Sequence, residues 1–489
     1  MQLNDHNKRR MLIDGELTGS AGGQWLPSVN PATEEIIGHI PAGNAEDVER
    51  AAAAAERAYP AWQALGIEGR AERMREVARR LTEAAEAVLA VEVADTGNTV
   101  TALKDDVAAA AWGLNFYAGL GYELKGETIP ATADSLHFTV REPYGVVGRI
   151  VPFNHPILFA AARTAAALIA GNALVVKPPE TSSLSATMLA EICKDVLPPG
   201  VMNIVTGLGK DAGDAIARNP RIKRIAFIGS PNTGRQIQKS AADVCVKHIS
   251  LELGGKNPLI VFPDADLEAA KDAAVRGMNF LWQGQSCGST SRLLVHDSIY
   301  DEFVEGVAER VARIRLGDPR SMQSDMGPIN SRAQYQRVCD YVEIAKRDGA
   351  RLVTGAERPA GESFARGYWI EPTVFADVLP HMRIAQEEVF GPILSIMRWS
   401  TPDEALRIAN GVEYGLTASI WTRDIQAALA TATRLRTGYI WVNGVGAHYK
   451  GVPYGGYRNS GVGREEGIEE MLSYTETKAI NLVGPFGFA

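Results

Sequence analysis

The spacing of apolar and polar positions changes character several times along the chain. Over residues 11–41, short apolar runs are separated by the turn-forming pairs Asp14-Gly15, Gly22-Gly23 and Asn30-Pro31, which predicts strands joined by hairpins. From Asn44 the texture becomes helical. Asn44 can cap a helix through 51–55, and Ala/Arg/Glu-rich helices are expected over 69–96 and 101–120. Residues 121–142 then alternate, with Leu136, Phe138 and Val140 sharing one face, as in a half-exposed strand pair. Such a ribbon can extend across a partner subunit.

Between 143 and 260, strands predicted at 146–151, 173–176, 201–205 and 224–228 alternate with helices at 157–169, 183–196, 211–217 and 233–241. That rhythm predicts a parallel sheet covered by helices on both faces, with ligands at the carboxyl ends of its strands. The second half repeats the α/β texture. Helices are expected over 267–282, 298–313, 331–348, 402–410 and 425–435, with strands at 292–296, 352–353, 393–399, 439–442 and 478–483.

A chain of 489 residues is too long for one small core, so two or three domains are expected. The net charge of −8 argues against a nucleic-acid or anionic-membrane surface. The most apolar stretch, 157–176, is interrupted by Arg163, Thr164, Gly171 and Asn172, which rules it out as a membrane span. Cys193, Cys245, Cys287 and Cys339 have no spacing of a zinc site or a disulfide framework, so no metal is expected. Residues 1–10 are polar and lack the apolar core of a secretory signal. A reduced, cytoplasmic enzyme is the resulting expectation.

Candidate chemistry sits at loops. Residues 283–289 present one thiol, Cys287, between Gly284 and Gly288, where small neighbours let a carbonyl approach the sulfur. In Val151-Pro152-Phe153-Asn154-His155-Pro156, flanking prolines restrain the backbone and leave the Asn154 amide available to an oxyanion. Lys177-Pro178-Pro179-Glu180 closes a strand with a cation and a carboxylate suited to ribose hydroxyls. The run from Gly229 through Ser230 to Gly234 is not GxGxxG, yet it can seat a phosphate at a helix start. Glu252, flanked by Leu251 and Leu253, should have a raised pKa suited to a general base. Each has an ordinary alternative: buried cysteine, turn asparagine, solvated ion pair, plain βα turn, or capping glutamate.

Taken together and in order, these motifs resemble the aldehyde dehydrogenase superfamily. The resemblance rests on Leu251-Glu252-Leu253-Gly254-Gly255-Lys256, on residues 280–287 ending in Gly284-Gln285-Ser286-Cys287, and on Glu387-Glu388-Val389-Phe390-Gly391-Pro392. Tyr454-Gly455-Gly456 and Ser460-Gly461-Val462-Gly463-Arg464-Glu465 complete the set, which spans about 30–478. The family fold implies a Rossmann-like coenzyme domain (1–120 and 144–252), an α/β catalytic domain (253–470), and a β-ribbon with the C-terminal tail (121–143 and 471–489) used in homodimers or homotetramers.

The resemblance also implies roles. Cys287 attacks an aldehyde, Asn154 holds the oxyanion, Glu252 activates the hydrolytic water, and Glu465 passes protons from Glu252. Lys177 and Glu180 hold the adenosine ribose, Ser230 the pyrophosphate and Glu388 the nicotinamide ribose. Phe153, Gly229, Gly234, Leu253 and Phe390 complete the coenzyme site. Glu180 would repel a 2′-phosphate, so NAD is expected over NADP, although some members with this glutamate use both. The presence of Glu252 favours water over coenzyme A as acyl acceptor. A CoA-acylating enzyme and a catalytically silent scaffold are the alternatives.

The chain departs from the family pattern at Phe153, where Trp is usual, and at His155, which replaces an apolar residue. Pocket candidates are Ala109, Phe159, Ala162, Leu281, His448 and Tyr454. The small residues among them suggest an aromatic or otherwise bulky aldehyde, with His448 as a polar contact. No aromatic cage for a quaternary ammonium is evident.

Overall fold

The computed structural model describes residues 8–484; residues 1–7 of the polar N-terminus and 485–489 of the tail lie outside it. Two sheets with helices on their faces form its bulk. The first has eight strands in the spatial order Gly461–Val462, His248–Leu253, Arg224–Gly229, Val146–Ile150, Ala173–Lys177, Met202–Ile204, Met11–Ile13 and Glu16–Thr18. The five from His248–Leu253 to Met202–Ile204 run parallel, and the three at the margins are antiparallel to their neighbours. Val146–Ile150 and Ala173–Lys177 are buried throughout, as continuous apolar runs in a doubly covered sheet should be.

The two faces of that sheet carry separate cores. Ala173 and Val175 pack against Val48, Ala51 and Ala55 of the helix Ala45–Ala64. Leu174 and Val176 pack on the other side with Leu114, Leu189 and Met74. Asn44 caps Ala45–Ala64 as predicted: its side chain accepts from the N–H groups of Glu46 and Asp47, while the Asp47 carboxylate accepts from the Asn44 N–H.

Four predicted helices prove to be broken, the 101–120 region among them, as Val100–Leu103 and Asp106–Leu120. The 69–96 region is two helices, Gly66–Glu83 and Ala85–Thr96, turning at Ala84 with no Gly or Pro to announce it. The 157–169 region is Pro156–Ala162 and Ala165–Ile169, interrupted at Arg163-Thr164, where Arg163 turns to ion-pair with Glu465 and Glu466. The 267–282 helix ends at Gly277, and a separate turn, Phe280–Trp282, follows because Asn279 takes a left-handed conformation at φ 57°.

The second sheet has seven strands in the order Arg351–Thr354, Thr373–Ala376, Ile393–Trp399, Arg292–His296, Pro258–Val261, Thr417–Trp421 and Tyr439–Val442. All its pairings are parallel except the first. Pro258–Val261, Thr373–Ala376 and Thr417–Trp421 escape the sequence reading because each is only four or five residues long and lacks alternation. His248–Leu253 also goes unread, although His248, Ser250 and Glu252 alternate with Ile249, Leu251 and Leu253 as in a half-buried strand. A third, antiparallel sheet joins Thr128–Ile129, Leu136–Pro143 and Thr475–Leu482. The alternation of 121–142 is thus expressed as a strand pair, and the C-terminal strand lies beside it.

Candidate active site

The chain order of the first sheet reverses between Val146–Ile150 and Arg224–Gly229, which makes their carboxyl ends a topological switch point. Register aligns the loops there: Ile150 pairs with Lys177 and Phe227, and Ile228 with Glu252. Residues 254–257 then carry the chain directly into the second sheet, so the starts of Pro258–Val261 and Arg292–His296 lie near the ends of the first. A cleft of about 610 Å³ lies at this junction, with Asn154, Glu252 and Cys287 in its wall along with Lys177, Glu180 and Ser230.

The thiol loop is held by its backbone. The Asn257 side chain donates to the carbonyls of Cys287 (2.7 Å) and Ser289 (2.9 Å), and its own Oδ1 accepts from the Thr417 N–H. Gln283 and Gly284 both have positive φ, 52° and 66°. A Cβ on Gly284 would collide with the Gly391 carbonyl oxygen, so glycine is required there by both conformation and space. Cys287 Sγ lies 3.6 Å from the Tyr454 hydroxyl. Burial, and next the neighbouring Glu252, push the thiol well above its ordinary range.

Glu252 ends its strand with a buried carboxyl whose Oε1 has no hydrogen-bond partner. Burial lifts its pKa to about 8, with Glu465 adding to the rise and the Cys287 thiol and Arg163 opposing it. At neutral pH most of Glu252 therefore keeps its proton. Asn154, also buried, has a carboxamide Oδ1 without a partner, while its backbone carbonyl accepts from Asn98 Nδ2 at 3.0 Å. Glu465 stands behind Glu252 because Gly461 pairs with Glu252 across the sheet edge. Burial alone would raise Glu465, yet Arg149 (2.7 Å) and Arg163 (3.3 Å) outweigh it and hold the carboxylate below its usual range.

The residues expected at the coenzyme lie along the same cleft. Lys177 Nζ is buried 3.3 Å from the Glu180 carboxylate, whose side chain is 41% exposed at the rim. Ser230 caps the helix Pro231–Ala242, accepting from the Thr233 N–H, and residues 230–233 line the cleft. Gly234 sits in its first turn against Leu253. Glu388 accepts from the Gly255 N–H at 2.9 Å, and burial raises its pKa to about 7. A Cβ on Gly254 would collide with this carboxylate. Phe390 is held at φ 57°, a costly conformation for an aromatic residue, by Gln334 bonds to its carbonyl and to that of Val389. Its ring meets Phe153 edge-on at 5.7 Å.

Pocket candidates fare unevenly. Phe159 lines the cleft and Tyr454 touches the thiol, while the His448 ring lies 4.5 Å from that of Tyr454. Ala162 packs against Gly113, where a Cβ would overlap its methyl, so its small size also serves helix packing. Ala109 and Leu281 are half-buried with no contact that ties them to the thiol. Sequence reasoning gave no role to Asn257, which fixes the thiol loop, or to Arg163 and Glu466, which form a buried ion pair at 2.6 Å. A usable signal existed for Arg163, a lone cation in an otherwise apolar run. Among the described residues no cluster of side chains could hold a metal ion, and no helix is long and apolar enough to cross a membrane.

The geometry agrees with the comparisons to known proteins. The model of the aldehyde dehydrogenase family matches residues 18–480. The chain is 44% identical over 462 residues to the aldehyde dehydrogenase tropH of Talaromyces stipitatus, covering 93% of this chain and 89% of that one. It is 40% identical over 473 residues to the hydroxyisobutyraldehyde dehydrogenase of Mycolicibacterium austroafricanum, covering 96% and 93%. Among solved structures, the betaine aldehyde dehydrogenase of Staphylococcus aureus in complex with NAD+ superposes with a TM-score of 0.95 at 36% identity, over 98% of this chain and 95% of that one. A thiol, a buried glutamate and a restrained asparagine gathered at a switch point, in a chain matched almost end to end, make this protein a member of the aldehyde dehydrogenase family.

Proposed function

We propose that this aldehyde dehydrogenase oxidises an aromatic or otherwise bulky aldehyde to its carboxylic acid with NAD, using water rather than coenzyme A as acyl acceptor. The observation that carries the reading is the meeting of Cys287 and Glu252 in one cleft, close enough for each to perturb the other's titration. Cys287 as thiolate attacks the aldehyde carbon to give a thiohemiacetal. The Asn154 amide and the Cys287 N–H hold the resulting oxyanion. Bound NAD would supply the hydride acceptor, and loss of hydride from the thiohemiacetal carbon leaves a thioester on Cys287. Glu252 then removes a proton from the attacking water. Glu465, held as a carboxylate by Arg149 and Arg163, stands next on the path by which the proton leaves Glu252 and relays it without retaining it.

NAD fits the cleft's residues. The exposed Glu180 carboxylate beside buried Lys177 suits free ribose hydroxyls, the Ser230 hydroxyl and the Asn232 N–H at the helix start suit the pyrophosphate, and Glu388 suits the second ribose. In this reading 1–120 with 144–252 is the coenzyme domain, 253–470 the catalytic domain, and 121–143 with 471–489 an oligomerisation element. The exposed apolar side chains of Ile129, Leu482 and Val483 support an assembly through that ribbon.

The test is a spectrophotometric screen of aliphatic and aromatic aldehydes with NAD and with NADP, in the presence and absence of coenzyme A, with the product identified. One acid per NADH, with no need for coenzyme A, is expected. An acyl-CoA product or the absence of turnover would overturn the proposal.

A further inference from the structure

We propose that the turn over residues 96–98, with Asn330 behind it, is a strut that fixes the separation between the Asn154 loop and the Cys287 loop, so that Asn98 and Asn330 are positioning residues for thiohemiacetal formation. The proposal rests on the reading of Cys287 as nucleophile and of Asn154 with the Cys287 N–H as holders of the oxyanion.

The two oxyanion donors stand on different sheets. Asn154 follows the strand Val146–Ile150 of the first sheet, whereas Cys287 precedes the strand Arg292–His296 of the second. Each loop has local anchors. Ser182 Oγ donates to the Phe153 carbonyl at 3.1 Å and the Ile157 N–H to the Glu92 carboxylate at 2.6 Å, while Asn257 holds the carbonyls of Cys287 and Ser289.

A path of hydrogen bonds runs from one loop to the other. Asn98 Nδ2 donates to the Asn154 carbonyl at 3.0 Å. Two residues before Asn98, the Thr96 carbonyl accepts from Asn330 Nδ2 at 3.3 Å. The Asn330 N–H donates to Gln285 Oε1 at 3.2 Å, and Gln285 Nε2 donates to Gln283 Oε1 at 2.8 Å within the thiol loop. Gln285 precedes Cys287 by two positions. The turn between the ends of this path is stiff. Gly97 closes the helix Ala85–Thr96 at φ 77°, and a Cβ there would lie 2.7 Å from Pro31 and 2.9 Å from Pro328. Thr96 Oγ1 accepts from the Asn98 N–H at 3.1 Å and donates to the Glu92 carbonyl at 2.7 Å.

Asn98, Asn330, Gln283 and Gln285 are all buried. A buried amide is costly unless its hydrogen bonds are made, and apolar side chains could join the two sheets without that requirement. Hydrogen bonds fix distance and direction, where apolar contacts permit sliding. Oxyanion donors need that precision, since a misplacement of about 1 Å can cost about 10²-fold in rate. Asn98 engages the backbone of Asn154 and not its carboxamide, as a positioning contact should.

The experiment measures single-turnover NADH formation by stopped flow, with enzyme in excess and NAD saturating. The aldehyde is benzaldehyde or propionaldehyde, whichever the unmodified enzyme turns over faster. Asn154→Ala should slow this step about 10²–10³-fold. Asn98→Ala should slow it about tenfold to a hundredfold and Asn330→Ala by less. The Kd for NAD, from fluorescence quenching, and the rate of Cys287 alkylation by iodoacetamide should stay within about twofold, because neither involves the oxyanion. In an Asn154→Ala background, Asn98→Ala and Asn330→Ala should cost no more than about twofold further, since residues that act through Asn154 have nothing left to place. Losses that persist at full size in that background, or unchanged rates in both single variants, would overturn the proposal while leaving the dehydrogenase reading intact. Asn330→Ala, at the far end of the strut, decides the question if Asn98→Ala does not fold. An unchanged rate in Asn154→Ala would overturn the oxyanion reading and the strut with it. No NADH from either aldehyde in the unmodified enzyme would overturn the dehydrogenase reading itself.

Discussion

Replacing Glu252 by Gln removes the base while keeping its size. The structure sets the expected size of the effect. With a pKa of about 8, roughly one tenth of Glu252 is ionised at pH 7 and about nine tenths at pH 9. A group that works in its deprotonated form gains activity as pH rises through its pKa, so wild-type turnover should climb about tenfold between pH 7 and 9. Loss of a general base costs about 10²–10⁴-fold, and Glu252→Gln should reduce steady-state kcat by that order and flatten the climb. Because Glu252 is already neutral at pH 7 and its Oε1 is unpartnered, the variant should fold with an almost unchanged Tm. In stopped-flow absorbance it should release up to one NADH per active site and then stall. Undiminished steady-state turnover, or a surviving rise through pH 8, would refute the assignment.

Further predictions follow from the same geometry. Cys287→Ala should abolish NADH production, and in the unmodified enzyme aldehyde should protect Cys287 from iodoacetamide while Cys245 and Cys339, also partly exposed, react regardless, as peptide mass mapping would show. Glu180→Gln removes the charge beside the 2′ position; two charges about 4 Å apart near a surface interact by ~1–4 kcal/mol, so kcat/KM for NADP relative to NAD should rise about tenfold or more. Arg163→Met leaves Glu465 and Glu466 short of their buried partner and should destabilise the fold by about 3–5 kcal/mol, read as a lower denaturation midpoint.

Much of this molecule is legible in its residue pattern because parallel strands buried on both faces are written as short apolar runs. Val146–Ile150, Ala173–Lys177 and Arg224–Gly229 were all findable, and with them the loops that carry Asn154, Lys177 and Ser230. The strand that delivers Glu252 carries a signal of its own, since its polar and apolar residues alternate as in a half-buried strand. Helix interruptions, by contrast, were hidden. The chain turns at Arg163 through tertiary ion pairs with residues some 300 positions away, and local spacing carries no trace of them. The pocket was the least legible part. Ala162 reads as a cavity-forming residue, but its methyl is fitted to Gly113, and the carboxylates that fix His155 and His448 come from distant segments.

The central claim is that an acyl group passes through Cys287. It is tested most directly by mixing Glu252→Gln with NAD and a substrate aldehyde, quenching in acid, and mapping peptides by mass spectrometry. The account predicts a near-stoichiometric thioester on the peptide containing Cys287, its mass raised by that of the product acid less one water. An unmodified Cys287 after a full NADH burst, or the acyl group on another residue, would contradict it.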